Sequence, residues 1–270
     1  MVNGKKPWQE SLANSSWRCS YAENQWADRS WLHQQRLLLG SYDDFIAKVI
    51  ASLSVEPADT VLDVGAGPGT LAIPLSRQAE TGTCLDISEA MLAFAGENAR
   101  RSGAKNIAFI KGAWEEVEIG RHVAKHDIAI ACRFVPHNLK EGLAKLGEAA
   151  AKRACVIWGS GWNPVDEAVC RAIGRKYCPL PGYPRIIAAL NSLGVRPKTA
   201  SVSAVLTYRY QDMEAVLADW HWGLGDLTRH EQERLEEHLE KVLVDRGAFL
   251  ELAGGQTKWM VISWDVAKEP

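Results

Sequence analysis

The stretch Val61-Leu-Asp-Val-Gly-Ala-Gly-Pro-Gly-Thr70 constrains this chain more than any other. Apolar, β-favouring residues interrupted by Asp63 run into glycines at alternate positions, Gly65, Gly67 and Gly69, and then into apolar residues at helical spacing. The pattern predicts a buried strand, a tight turn and a helix start. Glycine suits such a turn, which calls for unusual backbone dihedrals and lets a ligand lie against main chain with no Cβ between. Thr70 is the expected N-cap, and Pro74 is tolerable in a first turn whose N–H groups have no intrahelical partner. Those N–H groups, with the positive end of the helix, are expected to seat an anionic group. The third glycine comes one residue earlier than in the dinucleotide fingerprint G-x-G-x-x-G. Taken alone, the turn is equally a means of packing a helix close to a strand.

A second element changes the balance. Gly82-Thr-Cys-Leu-Asp-Ile87 reads as the next parallel strand, with Asp86 at its tip. A carboxylate there lies beside the first strand and can accept hydrogen bonds from both hydroxyls of a ribose. With D-x-G-x-G-x-G before it, the chain resembles the class I S-adenosylmethionine-dependent methyltransferases over residues 40–160. The resemblance implies S-adenosyl-L-methionine as cofactor, close approach at Gly65, Ala66, Gly67 and Gly69, loop orientation by Asp63 and ribose binding by Asp86. It also implies that Ile87 and Met91 lie against adenine, although Met91 serves equally well as a core side chain. Many members carry an acidic residue where Ala113 stands, so backbone at Ala113 and Trp114, or the Trp114 ring, must substitute.

The fourth strand, His126–Cys132, opens into Arg133-Phe-Val-Pro-His137. Ligands gather at the carboxyl ends of strands in open α/β sheets, which places Cys132, Arg133 and His137 where cofactor sulfur and acceptor should meet. The segment is not the N-P-P-Y type of adenine-N6 and glutamine-amide methyltransferases. His137 reads either as a general base or as a hydrogen-bonding residue before a helix. A cation at Arg133 makes sense beside a sulfonium if it binds an anionic group of the acceptor. The N-terminal tryptophans Trp8, Trp17, Trp26 and Trp31, with Tyr21, read first as aromatics pinning helices to the core. Several members of the resembled family cover the cofactor with such a segment, which singles out Trp31 near the methionine part and Arg29 or Arg36 as its carboxylate partner.

Periodicity organises the rest. Helices are expected over 24–39 and 42–53, after Ser88 as N-cap, over 139–151, through Val169 and Ile173 to Tyr177, over 186–193, over 212–220, and over 228–244 with a capping box of Thr228 and Glu231. Strands are expected at 106–110, 154–158, 201–210 and 258–266, and Ala151-Lys-Arg-Ala154 is read as a structural turn. The expected fold is an α/β Rossmann-like, seven-stranded, mostly parallel sheet with helices on both faces. Residues 1–53 form an N-terminal helical cap, 54–210 and 256–268 the core, and 211–255 a helical insertion or lid before the last strand, with Trp220 or Trp222 facing core or substrate. Trp162, Tyr177 and Tyr183 fall near the strand ends.

Composition bounds the function. The chain has 270 residues, 47% hydrophobic and 24% charged, the balance of an ordinary soluble globular protein. A net charge of −2 argues against a large nucleic-acid footprint. No apolar run has transmembrane length and the N-terminus lacks a secretory signal, so the cytoplasm is expected. The six cysteines, Cys170 and Cys178 included, show no metal spacing, and no metal is expected. The favoured reading is methyl transfer to a small-molecule acceptor. Behind it stand an RNA or protein methyltransferase, supported by Arg171, Arg175 and Lys176, then a nicotinamide oxidoreductase, disfavoured by the glycine spacing, and a non-catalytic cofactor-binding protein. Oligomeric state leaves no mark in the sequence.

Overall fold

The computed structural model describes residues 23–133, 136–160, 167–177, 182–252 and 256–266, without the side chains of 23–28, 160 and 222. Trp8, Trp17, Tyr21, Trp162 and Cys178, and the side chains of Trp26 and Trp222, therefore lie outside the described residues. Two helices, α1 (Glu23–Leu38) and α2 (Asp43–Leu53), precede an alternating series: β1 (Thr60–Val64), α3 (Ala72–Ser76), β2 (Thr81–Asp86), α4 (Glu89–Ser102), β3 (Ile107–Lys111), β4 (His126–Cys132), α5 (Leu139–Glu148) and β5 (Ala150–Ser160). There follow α6 (Glu167–Ile173), α7 (Pro184–Ser192), β6 (Lys198–Val205), β7 (Tyr208–Tyr210), α8 (Met213–Leu224), α9 (Arg229–Val242), β8 (Leu243–Asp245), β9 (Leu250–Leu252) and β10 (Gln256–Asp265).

Seven strands form one sheet in the order β3-β2-β1-β4-β5-β10-β6. Only β10 is reversed, pairing antiparallel with both β5 and β6. The expected α/β sheet is thus present, and strand alternation divides its two faces. Leu62, Val64, Ala129, Ala131, Ala154 and Val156 point into one layer with Leu143 of α5 and Ile186 of α7. Val61, Ile128, Ile130, Cys155 and Ile157 point into the other with Phe45 and Val49 of α2. Strands buried on both faces need apolar residues at nearly every position, which these carry.

Several elements differ from the sequence reading. The expected strand 201–210 is two strands: β6 stays in the large sheet, whereas β7 joins a separate three-stranded antiparallel sheet ordered β7-β9-β8. The segment 211–255 is therefore not wholly helical, and Tyr208–Tyr210 packs with it. The supposed turn at Ala151–Ala154 lies inside β5. Its charges are accommodated at the strand start because Lys152 reaches Asp59 (2.6 Å) and Asp127 (3.1 Å), and Arg153 donates to the Leu53 carbonyl (3.2 Å). Tyr177 falls beyond the end of α6, and α3 begins at Ala72 with Leu71, not Thr70, at the N-cap. The caps at Ser88 and Thr228 form as expected, the latter as a full capping box.

A second apolar cluster binds the N-terminal helix to the chain after β5. Leu32 of α1 packs with Val169 and Ile173 of α6, Tyr208 and Tyr210 of β7, Trp220 of α8, and Leu235 and Leu239 of α9. Within it, Asp219 takes Arg29 (2.7 Å), Arg36 and the Tyr210 hydroxyl (2.9 Å), while Arg36 also donates to Tyr210 (2.7 Å) and lies over its ring. The side chains of Arg36 and Asp219 are only 2% and 3% exposed, so neither charge can fall back on water. Removing one partner of such a pair strands the other in low dielectric. Asp219→Ala is expected to cost about 3–5 kcal/mol, read as a lowered midpoint of urea unfolding. Glu233→Ala, which breaks the exposed Arg229–Glu233 pair, should leave the midpoint where it is.

Candidate functional site

The turn after β1 is held almost entirely by the chain itself. Gly65 and Ala66 both donate to the Leu85 carbonyl (2.8 and 3.1 Å), Gly69 donates to Ala66 O (3.0 Å), and Pro68 has no N–H to give. The Gly67 N–H donates to Asp86 Oδ2 (2.8 Å), whose other oxygen accepts from Ser88 N–H (2.9 Å). The Asp63 carboxyl is buried in β1, where the backbone N–H of Ala72 at the start of α3 favours its charged form. The N–H groups of Gly65, Ala66, Gly67 and Gly69 thus meet internal acceptors, which narrows the expected anion seat to the start of α3. A pyrophosphate, which depends on such N–H groups, finds those of the glycines already engaged.

The three glycines do different work. All have positive φ, at 71°, 55° and 80°. A Cβ on Gly65 would meet no protein atom within 4 Å, and one on Gly67 would meet only Met91 Sδ at 4.0 Å, so both leave main chain open to a ligand. A Cβ on Gly69 would fall 2.4 Å from Ile73 Cδ1. Gly69 is thus required for its φ and for packing of α3, not for approach by a ligand.

Asp86 is buried at the tip of β2, and burial raises its pKa against the lowering effect of N–H donors from Ser88, Gly67 and Ile87. Ile87 is half-buried, and Met91 is buried against the turn. Ala113 accepts from Glu116 and Val117 N–H (both 3.0 Å), which forms a compact turn after β3. The Trp114 ring is buried in the core, its indole N–H donating to Gly142 O (3.3 Å) and its face covered by Lys145. Of the two substitutes expected for the missing acidic residue, the backbone is therefore the better placed.

At the end of β4, Cys132 is half-buried and its thiol is pushed up to about 11 by burial. Arg133 adopts φ 57°, outside the usual range for a residue with a side chain, and its N–H bonds Ile157 O (2.9 Å). His137 is exposed, with its N–H and Nδ1 at 3.0 and 3.2 Å from Glu115 Oε1. That arrangement suits the hydrogen-bonding role before a helix, with Asn138 as the N-cap of α5. Trp31 packs, half-buried, on the apolar cluster around Leu32 and Trp220. Arg29 and Arg36, one or other of which is expected to meet a ligand carboxylate, both pair with Asp219.

Three residues escaped the sequence reading. His33 is buried on α1, and its pKa is held well below the usual range by burial and then by the charges of Arg133, Arg29 and Arg36, so its imidazole is neutral at pH 7. Gln34 and Asn98 form a reciprocal amide pair, both bonds 2.7 Å, and Asn98 Nδ2 also donates to Pro68 O (2.9 Å). A glutamine and an asparagine on separate helices carry no sequence signal of mutual contact.

Burial, with a smaller contribution from Asp86, pushes the Asp63 carboxyl up to about 7. An unfolded aspartate titrates at about 4. Between these values the folded chain holds a proton that the unfolded chain has lost, so this group's contribution to stability falls as pH rises from about 4 to about 7 and is constant above. Asp63→Asn removes the titrating group at nearly the same volume and should flatten that part of the stability profile, as measured by urea unfolding at a series of pH values.

Comparisons with known proteins agree with this geometry. The family described as a methyltransferase domain matches residues 61–152, from β1 into β5. An uncharacterised protein of Haemophilus influenzae is 26% identical over 244 residues, 88% of each chain. Among solved structures, a candidate methyltransferase of Bacillus halodurans superposes with TM-score 0.55 at 14% identity, covering 82% of this chain and 97% of its own. Magnesium protoporphyrin IX methyltransferase of Synechocystis, solved with bound S-adenosylhomocysteine, superposes with TM-score 0.50 at 17% identity, covering 87% of this chain and 84% of its own. No described helix is long and apolar enough to cross a membrane. The D-x-G-x-G-x-G turn and Asp86 both lie within residues 61–152, the stretch that matches the methyltransferase-domain family.

Proposed function

We propose that the chain moves a methyl group from S-adenosylmethionine to a small-molecule acceptor by in-line displacement, in a site enclosed between the strand ends and α1. One observation carries the reading: α1 packs on α4 and is tied through Gln34 and Asn98 to the loop after β1. Gln34 binds Asn98, which holds Pro68 O, and His33 lies close enough to Arg133 for that charge to disfavour its protonation. The same helix is tied to α8 by Asp219. A packed layer over the strand ends suits a small acceptor better than a polymer that needs an open face. The net charge of −2 supports the same reading. Two of the three residues that favoured RNA are paired with carboxylates of this chain, Arg175 partly buried and Arg171 at the surface. Arg175 makes a bidentate pair with Glu231 (2.6 and 3.0 Å) and Arg171 pairs with Glu167 (3.0 Å).

When bound, S-adenosylmethionine supplies an electrophilic methyl on a sulfonium whose charge is lost in the transition state, a change favoured by an enclosed, poorly hydrated site. The residues present fit it. Gly65 and Gly67 leave room for close approach, and Ala66 continues that surface. Each Asp86 oxygen retains lone-pair capacity for a ribose hydroxyl beyond the N–H it already accepts. Ile87 and Met91 are proposed to flank adenine, with backbone at Ala113 and Trp114 for its polar edge. Trp31 and Cys132 bound the methionine side, Asp63 orients the turn, and Arg133 holds an acidic group of the acceptor. His137 is assigned to the loop, not to proton transfer.

Asp86→Ala is expected to weaken S-adenosylhomocysteine binding by about tenfold or more, the loss of charge-assisted hydrogen bonds, in a calorimetric titration with the far-ultraviolet spectrum unchanged. Equal affinity would contradict the site. For the acceptor, methyl uptake from labelled S-adenosylmethionine should appear in a panel of small organic acids and be lost in Arg133→Gln. Labelling of RNA or protein alone, with steep salt dependence for RNA, would overturn the small-molecule reading.

A further inference from the structure

The cofactor turn and the N-terminal helix share a single side chain. Asn98 lies on α4, is 8% exposed, and has both amide donors and its acceptor engaged. One donor holds the Pro68 carbonyl, and the rest of the amide faces Gln34, itself 5% exposed. Gly67 N–H is held from the other side by Asp86. The turn is therefore clamped on consecutive residues, by β2 through Gly67 and by α4 through Pro68. The second clamp cannot move without disturbing α1, whose Arg36 is committed two residues later to Asp219 of α8. A continuous hydrogen-bonded series runs from Pro68 O through Asn98, Gln34 and α1 to α8.

We infer that Asn98 is a positioning residue that couples cofactor binding at the glycine turn to the seating of α1 over the strand ends, with Gln34 as the contact through which the coupling passes. The inference rests on the turn being the cofactor site. A ligand that favours the clamped form of the turn strengthens the α1 contact, and a seated α1 strengthens ligand binding by the same factor, because coupling free energies are reciprocal. Order at the acceptor side, which α1 covers, then depends on the cofactor being in place. The amide pair suits this role. Buried in the interface, both groups of the Gln34 amide and the Asn98 carbonyl lose their partners together if α1 lifts, so a partly seated helix is disfavoured.

The test combines Gln34→Met, which keeps side-chain length but removes both amide bonds, Asn98→Leu, and the double variant. S-adenosylhomocysteine affinity is measured by calorimetry, α1 by hydrogen exchange with and without that ligand, and the fold by thermal unfolding. In the unmodified chain the ligand should slow exchange across α1. Gln34→Met should weaken ligand binding about fivefold or more and abolish the ligand's effect on α1, and the Gln34 substitution should have little further effect on affinity once Asn98 is leucine. A merely structural contact would lower the unfolding temperature of Gln34→Met and leave its affinity unchanged, which would overturn the inference. Ligand binding that leaves α1 exchange unaltered in the unmodified chain would do the same. Absence of binding to the unmodified chain would instead remove the cofactor reading on which both stand. If Asn98→Leu does not fold, Gln34→Met alone decides, since it leaves the Asn98–Pro68 bond intact.

Discussion

Two carboxylates hold the turn on which the site is built. Asp86 receives the Gly67 N–H at the tip of β2, and Asp63 is buried in β1 with the Ala72 N–H at the start of α3 favouring its charged form. With the Leu85 carbonyl taking Gly65 and Ala66, and Ala66 O taking Gly69, the glycine N–H groups of the turn are engaged before any ligand arrives. Its shape is therefore preorganised, and its ligand must be recognised by means other than free backbone donors. An open approach beside Gly65 and a buried acceptor at Asp86 favour a hydroxyl-bearing nucleoside without phosphate. Burial of the two acids has a cost, seen in the raised pKa of each, and the backbone donors partly offset it.

The chain outside the domain match is organised around a second constraint. Arg36 and Asp219 are buried together between α1 and α8, and Tyr210 closes the group with its hydroxyl. Such a pair contributes modestly to net stability but sharply penalises any arrangement in which its members separate. It sets the register of α1 against α8, while Gln34 sets α1 against α4. The N-terminal helix thus links regions far apart in sequence, and both links are polar, directional and buried.

How much of this could be read from the residues follows from the range of each interaction. The β1 turn, the acidic residue ending β2, the Ser88 cap and the Thr228 capping box are local patterns, and they are found where the pattern puts them. Gly69 was legible as a required glycine but not as one required by Ile73, because that contact depends on how α3 settles. The division of 201–210 was invisible for a definite reason. Val202, Ala204, Leu206, Tyr208 and Tyr210 keep one unbroken alternation, yet the first two bury in the large sheet's core and the last two in the cluster around Trp220. Lys152 and Arg153 disguised the start of β5 because Asp59, Asp127 and Leu53, distant in sequence, neutralise or satisfy them. The pairs Gln34–Asn98 and Arg36–Asp219 join residues whose types, taken singly, read as solvated helix surface.

The most direct test of the account is a parallel calorimetric titration of the purified chain with S-adenosylhomocysteine and NADH. A turn whose glycine N–H groups are engaged, with lone pairs left on Asp86 for ribose hydroxyls, predicts binding of S-adenosylhomocysteine at one site per chain and no heat from NADH. Binding of NADH with S-adenosylhomocysteine excluded would contradict the reading of the turn, and with it the assignment of Asp86.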